Sequence, residues 1–122
     1  MNASRTAILA TTMLMAALAS PFAWGHARLI RSDPASGATL TAAPKEIVLT
    51  FDEKVEEAFS TITLADAGGK ALAAGKTKVD ASNPAVLRLE VPILSRGGYT
   101  VTWAVAGRDG HRRKGNFIFS VK

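Results

Sequence analysis

The sequence predicts a small all-β domain, an antiparallel β-sandwich or Greek-key barrel of six or seven short strands. Three observations predict this class. Apolar and polar residues alternate along several short segments, strictly so in Tyr99–Trp103. Turn residues separate these segments. No long segment shows the 3.6-residue period of an amphipathic helix, which argues against an α/β fold.

Six segments are predicted as strands because they combine alternation with β-branched and aromatic residues. They are Ala27–Arg31, Glu46–Phe51, Thr61–Ala65, Val86–Val91, Tyr99–Ala106 and Asn116–Val121. A weaker strand is predicted around Lys70–Ala73. The turn signals between them are Asp33–Gly37, Gly68-Gly69, Ser82–Pro84, Arg96–Gly98 and Asp109-Gly110. The connection Glu53–Phe59 has room for one turn of helix.

Residues 1–25 have the pattern of a secretory signal peptide. Arg5 provides a positive start, Ala7–Ala19 an apolar stretch, and Ala23-Trp24-Gly25 a small-x-small cleavage site. The apolar stretch is shorter than the roughly 20 residues of a membrane span. We therefore expect export and a mature domain of residues 26–122.

Charge and composition exclude several classes of function. The formal net charge is +5 for the full chain, and no block of five like charges occurs, so nucleic acid binding is not indicated. The chain has no Cys, and its three methionines, Met1, Met13 and Met15, all lie in the predicted leader. The mature domain therefore has no soft sulfur ligand for Cu(I).

Cleavage after Gly25 makes His26 the first residue of the mature protein. The free α-amine and the ring Nδ1 of an N-terminal histidine can close a six-membered chelate on one metal ion. Both are nitrogen donors of the kind that Cu(II) prefers. The alternative is that His26 is an ordinary first residue of a frayed terminus.

Five groups of residues occur in a characteristic order along residues 26–122. They are His26-Ala27-x-Leu29, Ser32-x-Pro34-Ala35, Pro44-x-x-Ile47-x-Leu49-x-Phe51, Gly98-Tyr99-Thr100-Val101-x-Trp103, and Asp109-Gly110-His111 with Gly115-x-Phe117-x-Phe119-x-Val121. In this order they resemble the CopC-like copper-resistance proteins. The resemblance implies a small periplasmic Cu(II)-binding protein. Its expected fold is a small seven-stranded Greek-key β-barrel or sandwich of immunoglobulin-like and cupredoxin-like appearance.

The resemblance also implies a site and a partner. The family's Cu(II) ligands fall on His26, Asp109 and His111, and its Phe-x-Glu falls on Phe51-Asp52-Glu53. Glu53 is then a weak ligand or a neighbour of the His26 amine. No residues match the Met-rich Cu(I) site of other members, so the chain resembles the subtype with one Cu(II) only. The implied partner is an inner-membrane copper importer of the CopD type.

The residue types suit this chemistry. Asp109 and His111 are two positions apart, so in an extended or tight-loop backbone their side chains emerge on the same side. Gly110 between them permits unusual backbone angles. Four nearby cations are expected to lower the affinity for a dication and speed its release without abolishing binding. These are Arg108, Arg112, Arg113 and Lys114, and two of them depart from the family pattern, which often has Ser-Ala before the Asp and Pro after the His.

We therefore expect a monomeric periplasmic carrier or buffer for one Cu(II), without catalytic activity. Two alternatives remain open. One is an oxidative copper enzyme like the polysaccharide monooxygenases, which also chelate copper with an N-terminal His. The other is an immunoglobulin-like interaction module without metal, in which Asp109-Gly110 is only a hairpin turn.

Overall fold

The computed structural model describes residues 27–122, which form eight β-strands and one turn of 3₁₀ helix, Glu57–Phe59. The strands are β1 (Leu29–Asp33), β2 (Thr39–Leu40), β3 (Glu46–Phe51), β4 (Thr61–Asp66), β5 (Lys78–Val79), β6 (Val86–Glu90), β7 (Gly97–Ala106) and β8 (Arg112–Val121). They form two four-stranded sheets with the orders β1-β3-β6-β5 and β2-β8-β7-β4. All named pairs are antiparallel except β2 with β8, which is parallel.

The longest pairing is the hairpin of β7 and β8, in which each strand has 10 residues. It runs from the pair Gly97 and Val121 to the pair Ala106 and Arg112 without a register shift. Such a continuous ladder is a rigid support for the turn that joins the two strands.

The core lies between the sheets because alternate residues of each strand point inward. Phe51 and Trp103 meet edge to face with ring centroids 5.3 Å apart, which joins the two sheets. Trp103 lies across Gly115, its partner on β8, where a Cβ would come within 2.6 Å of the indole ring. Gly115 therefore provides the space that the indole occupies.

At the start of β7, Tyr99 stacks on Phe119 with ring centroids 5.5 Å apart. The Tyr99 hydroxyl donates a 2.6 Å hydrogen bond to the carbonyl oxygen of Ser95. This contact resembles the tyrosine corner of Greek-key sandwiches, in which the hydroxyl binds backbone a few residues upstream. It fixes the approach of the chain to the hairpin.

The all-β class and the sandwich are confirmed. The two sheets do not close into a barrel, since each keeps its own two edge strands in the described chain. The helical turn expected within Glu53–Phe59 is present. No helix within residues 27–122 is long and apolar enough to cross a membrane.

Several boundaries differ from the prediction. The first strand begins at Leu29 and ends at Asp33, two residues later than predicted. The last strand begins at Arg112, because pairing with β7 continues through charged residues that lack an apolar pattern. The strand predicted at Lys70–Ala73 is wrong, since only an isolated bridge between Ala65 and Ala71 forms there. The predicted leader, residues 1–25, and His26 lie outside the described residues.

Candidate metal centre

The turn between β7 and β8 holds two of the predicted ligands. Gly110 N–H donates to the Gly107 carbonyl at 3.0 Å, and Gly107 N–H donates to the His111 carbonyl at 3.0 Å. Gly110 has φ of 81°, in the left-handed region. This is the pattern of a tight turn followed by a glycine in the left-handed backbone conformation. Residues with a side chain rarely adopt that conformation. The turn is therefore held by its backbone.

Asp109 and His111 are in direct contact across this turn. The Asp109 Oδ2 and His111 Nδ1 atoms are 2.7 Å apart, and the backbone N–H of His111 donates to Asp109 Oδ1 at 3.0 Å. Their side chains remain 35% and 62% exposed. The structure thus brings the two residues together on one side of the loop, accessible from solvent.

The spacing of these two atoms also suits a pair of donors on one metal ion. Ligand distances of about 2.0–2.1 Å place two donors at right angles about 2.9 Å apart. A cation could replace the hydrogen between Oδ2 and Nδ1 with a small movement of either side chain. One carboxylate oxygen and one imidazole nitrogen are donors that Cu(II) accepts in tetragonal geometry.

Glu53 reaches the same place from the connection after β3. Val55 forms a bridge with Gly107, and the Glu56 N–H donates to the Ala106 carbonyl at 2.9 Å. A Cβ at Gly107 would clash with Glu53 Oε1 and would come within 3.2 Å of Asp109 Oδ1. Both carboxylates therefore face the bare Cα of Gly107.

Sequence reasoning did not identify Gly107 as part of this site. Its signal is weak, because a glycine before Arg108-Asp109-Gly110 looks like another turn residue. The carboxylates that meet over it come from segments far apart in the chain, which no local pattern shows.

The start of the described chain is bonded to Asp52, the residue before Glu53. Arg28 N–H donates to Asp52 Oδ1 at 2.7 Å, and Asp52 N–H donates to the Arg28 carbonyl at 2.9 Å. Ala27 is 1% exposed and belongs to the core. His26 precedes Ala27 and lies outside the described residues, so its role as a ligand stays a prediction. Within residues 27–122, no three His, Cys, Asp or Glu side chains are grouped as a metal site.

Four exposed cations flank the turn, and we call them the cationic rim. They are Arg108, Arg112, Arg113 and Lys114. The three ion pairs of the described chain involve Arg88 or His111 and none of the rim. The predicted positive surroundings of Asp109 and His111 are therefore present.

Comparison with known proteins assigns the chain to a family. The model of the CopC domain matches residues 29–122. This chain belongs to the CopC family. It is 37% identical over 127 aligned positions to protein YobA of Escherichia coli K12, covering 99% of this chain and 98% of the relative.

Two further members of the family support the assignment. The chain is 34% identical to copper resistance protein C of Xanthomonas campestris pv. juglandis, covering 93% of this chain and 95% of the relative. The crystal structure of CopC from Methylosinus trichosporium OB3b superposes with a TM-score of 0.76 at 34% identity. That superposition covers 80% of this chain and 94% of the other.

Proposed function

We propose that this protein is a periplasmic carrier or buffer that binds one Cu(II). The ligands are the amine and ring of His26, a carboxylate oxygen of Asp109 and a ring nitrogen of His111. The observation that carries the proposal is the contact between Asp109 and His111 at 2.7 Å, on a turn that backbone hydrogen bonds hold and that Glu53 also reaches. The copper-resistance name of the Xanthomonas relative supports it.

The proposed donors explain the choice of metal. Three nitrogens and one carboxylate oxygen suit the tetragonal preference of Cu(II), which also binds such sites more tightly than Zn(II) does. No thiolate or thioether is present after residue 25, so reduction to the softer Cu(I) is expected to weaken binding. Copper is therefore held as an oxidised cargo.

Each residue of the proposed site has a distinct role. Asp109 supplies one negative charge and, with His111, spans two neighbouring positions around the metal. Glu53, facing Gly107, is proposed to accept a hydrogen bond from the His26 amine or to bind weakly itself. The start of the mature chain is proposed to be produced by removal of residues 1–25, since only then is the amine free.

The proposed activity is binding and transfer, without catalysis. We further propose that the protein acts as a monomer and exchanges copper with an inner-membrane importer of the CopD type. Copper-dependent production of hydrogen peroxide from ascorbate, above that of free copper, would contradict the non-catalytic proposal.

The decisive test is Cu(II) titration followed by EPR on two mature proteins. One begins at His26, and the other carries one extra glycine before it. We expect only the first to give a tight, nitrogen-rich tetragonal signal at one equivalent. Equal signals from both would show that the α-amine is not a ligand, and no binding by either would leave only an interaction domain.

Acid is expected to release the metal. Imidazole and amine nitrogens bind Cu(II) only after losing their protons, so affinity should fall as the pH drops below about 6. A titration with constant affinity down to pH 5 would instead indicate binding by carboxylates alone.

A further inference from the structure

The cationic rim flanks the proposed donors Asp109 and His111 along the chain. The segment 107–114 carries four cations and one carboxylate, Asp109. β8 pairs with β7 along one edge of that strand, and Arg112 and Lys114 project from β8 opposite Ala106 and Ala104. The rim therefore extends from the turn along β8.

The carboxylates of the neighbouring connection lie on the other side of β7. Val55 bridges Gly107, and Glu56 N–H bonds to Ala106, on the edge of β7 away from β8. Glu53 and Glu56 belong to this connection. This end of the molecule thus carries carboxylates along the free edge of β7, whereas the cationic rim shares the turn and the start of β8 with the proposed donors Asp109 and His111.

This arrangement affects how copper reaches the turn. A bare hydrated Cu(II) ion carries two positive charges and is repelled by the rim. A complex of Cu(II) with a carboxylate-rich chelator carries net negative charge and is attracted by it. Charges that surround a site in this way change association rates more than equilibrium affinity, and salt weakens the effect.

We propose that the cationic rim accelerates exchange of copper with anionic Cu(II) chelates. This inference rests on the proposed function, because it assumes the Asp109 and His111 site. The step is ligand exchange: the chelator leaves with its charge, the nitrogen donors release their protons, and copper remains Cu(II) throughout. The rim acts on the approach and departure of the chelate and does not touch the metal.

The test measures uptake rates by stopped flow from two donors. Cu(II) nitrilotriacetate has a charge of −1, and Cu(II) bis-glycinate is neutral. Quenching of Trp103, the single Trp after residue 25, reports copper binding. Rates are compared at ionic strengths of about 0.01 M and 0.15 M, where the screening lengths are about 30 Å and 8 Å.

Two double variants remove the same charge from opposite ends of the hairpin. Arg112→Gln with Lys114→Gln removes two cations of the rim. Arg96→Gln with Lys122→Gln removes two exposed cations at the other end, about 30 Å away along ten residues of strand. All four positions are exposed, so both variants are expected to fold.

We expect the rim variant to take copper from nitrilotriacetate about fourfold more slowly at low salt. This difference should shrink at 0.15 M, while uptake from bis-glycinate should stay unchanged. The distant variant should behave like the unchanged protein. Equal slowing by both variants would overturn the proposal in favour of net charge alone, and no slowing by either would overturn it outright.

The endpoint separates this inference from the proposed function. If every protein binds one equivalent of copper and the uptake rates do not depend on the rim, only the proposed acceleration by the rim is wrong. If the protein takes no copper from either chelate and binds none in the EPR titration, the proposed metal site is wrong. This inference then fails with it.

Discussion

The two ends of the β7 and β8 hairpin have the same backbone pairing but opposite surroundings. At one end Tyr99 and Phe119 are 5% and 0% exposed, and their stacked rings close the core. At the other end Asp109 and His111 are exposed on a turn fixed by backbone hydrogen bonds. One end of the hairpin therefore stabilises the fold, while the other can carry metal-binding side chains at little cost to stability.

The largest expected loss of stability comes from a substitution at the buried end of the hairpin. Phe119→Ala removes a ring that is fully enclosed, so we expect the free energy of unfolding to fall by about 3–5 kcal/mol. Urea denaturation monitored by circular dichroism measures it. The matched control is Ile118→Ala, the adjacent residue on the outer face, which is 58% exposed and should cost less than about 1 kcal/mol.

The folded fraction of Phe119→Ala should still bind Cu(II) with unchanged affinity in conditions where it is fully native. A large loss of Cu(II) affinity in that state would show that the two ends of the hairpin are energetically coupled.

His111→Ala is the reverse experiment at the exposed end. Loss of a residue outside the coordination shell typically weakens a metal site 10–100-fold, so loss of a proposed donor should weaken Cu(II) binding by more than about a hundredfold. Stability without copper should change by less than about 1 kcal/mol, since the contact with Asp109 is exposed. Competition with a chromophoric chelator measures the affinity.

Asn116→Ala serves as the control for that variant, because Asn116 is also exposed on β8 but lies outside the turn. If both variants bind copper like the unchanged protein, His111 is not a ligand and the proposed site is wrong.

Much of the fold could be predicted from the sequence because burial imposes a period. Ile47–Phe51 and Tyr99–Trp103 alternate since one face of each lies in the core, and both segments form strands. Thr39–Leu40 and Lys78–Val79 are two residues long, too short to show any period, and were not predicted. Lys70–Ala73 follows a real turn, but its pairing stops after one bridge.

The site was predictable only where it is local. Spacing and Gly110 predict that Asp109 and His111 share one side of a loop, and the structure places them in contact. The meeting of Glu53 with Gly107 depends on how a connection from the other sheet crosses the end of β7, which no short pattern encodes. Their roles as ligands, with that of His26, remain predictions.

Substitutions at Gly115 and Gly107 are expected to have effects of intermediate size. At Gly115 an added Cβ would press on the indole ring of Trp103, a rigid group in the core, so Gly115→Ala should cost about 1–3 kcal/mol. At Gly107 the added Cβ would meet the end of the flexible Glu53 side chain. Gly107→Ala should therefore cost less than about 1 kcal/mol, but it should displace the Glu53 carboxylate and alter the EPR spectrum of bound copper.

Adding Glu53→Ala to each glycine variant tests this account by double-mutant cycles. The second substitution should remove the cost of Gly107→Ala and leave that of Gly115→Ala unchanged. Equal costs for the two glycine variants, with no coupling to Glu53, would contradict it.

The smallest expected effect on stability concerns Asp80, which lies next to β5 in the sheet that does not contain the hairpin. The Asp80 carboxylate accepts hydrogen bonds from the Ser82 hydroxyl at 2.7 Å and from Arg88 Nε at 2.6 Å. These contacts lower the pKa of Asp80 from its usual 3.8 to about 2. A group with a lowered pKa adds stability above its unfolded value, and that stability is lost as the pH falls through the folded value. The free energy of unfolding should therefore decline between pH 4 and pH 2.

Asp80→Asn should flatten this decline, and Ser82→Ala should do so in part, because it removes the hydrogen bond that contributes most to the shift. Urea denaturation across this range measures the slope, and NMR titration of the Asp80 carboxyl measures its pKa directly. Copper binding at neutral pH should be the same in all three proteins, because the Asp80 cluster and the turn at Asp109 belong to different sheets. An Asp80 carboxyl that titrates near 3.8 would show that its three hydrogen bonds, which include one from the Ser82 backbone N–H at 3.0 Å, do not favour the charged form. The acid sensitivity would then need another source.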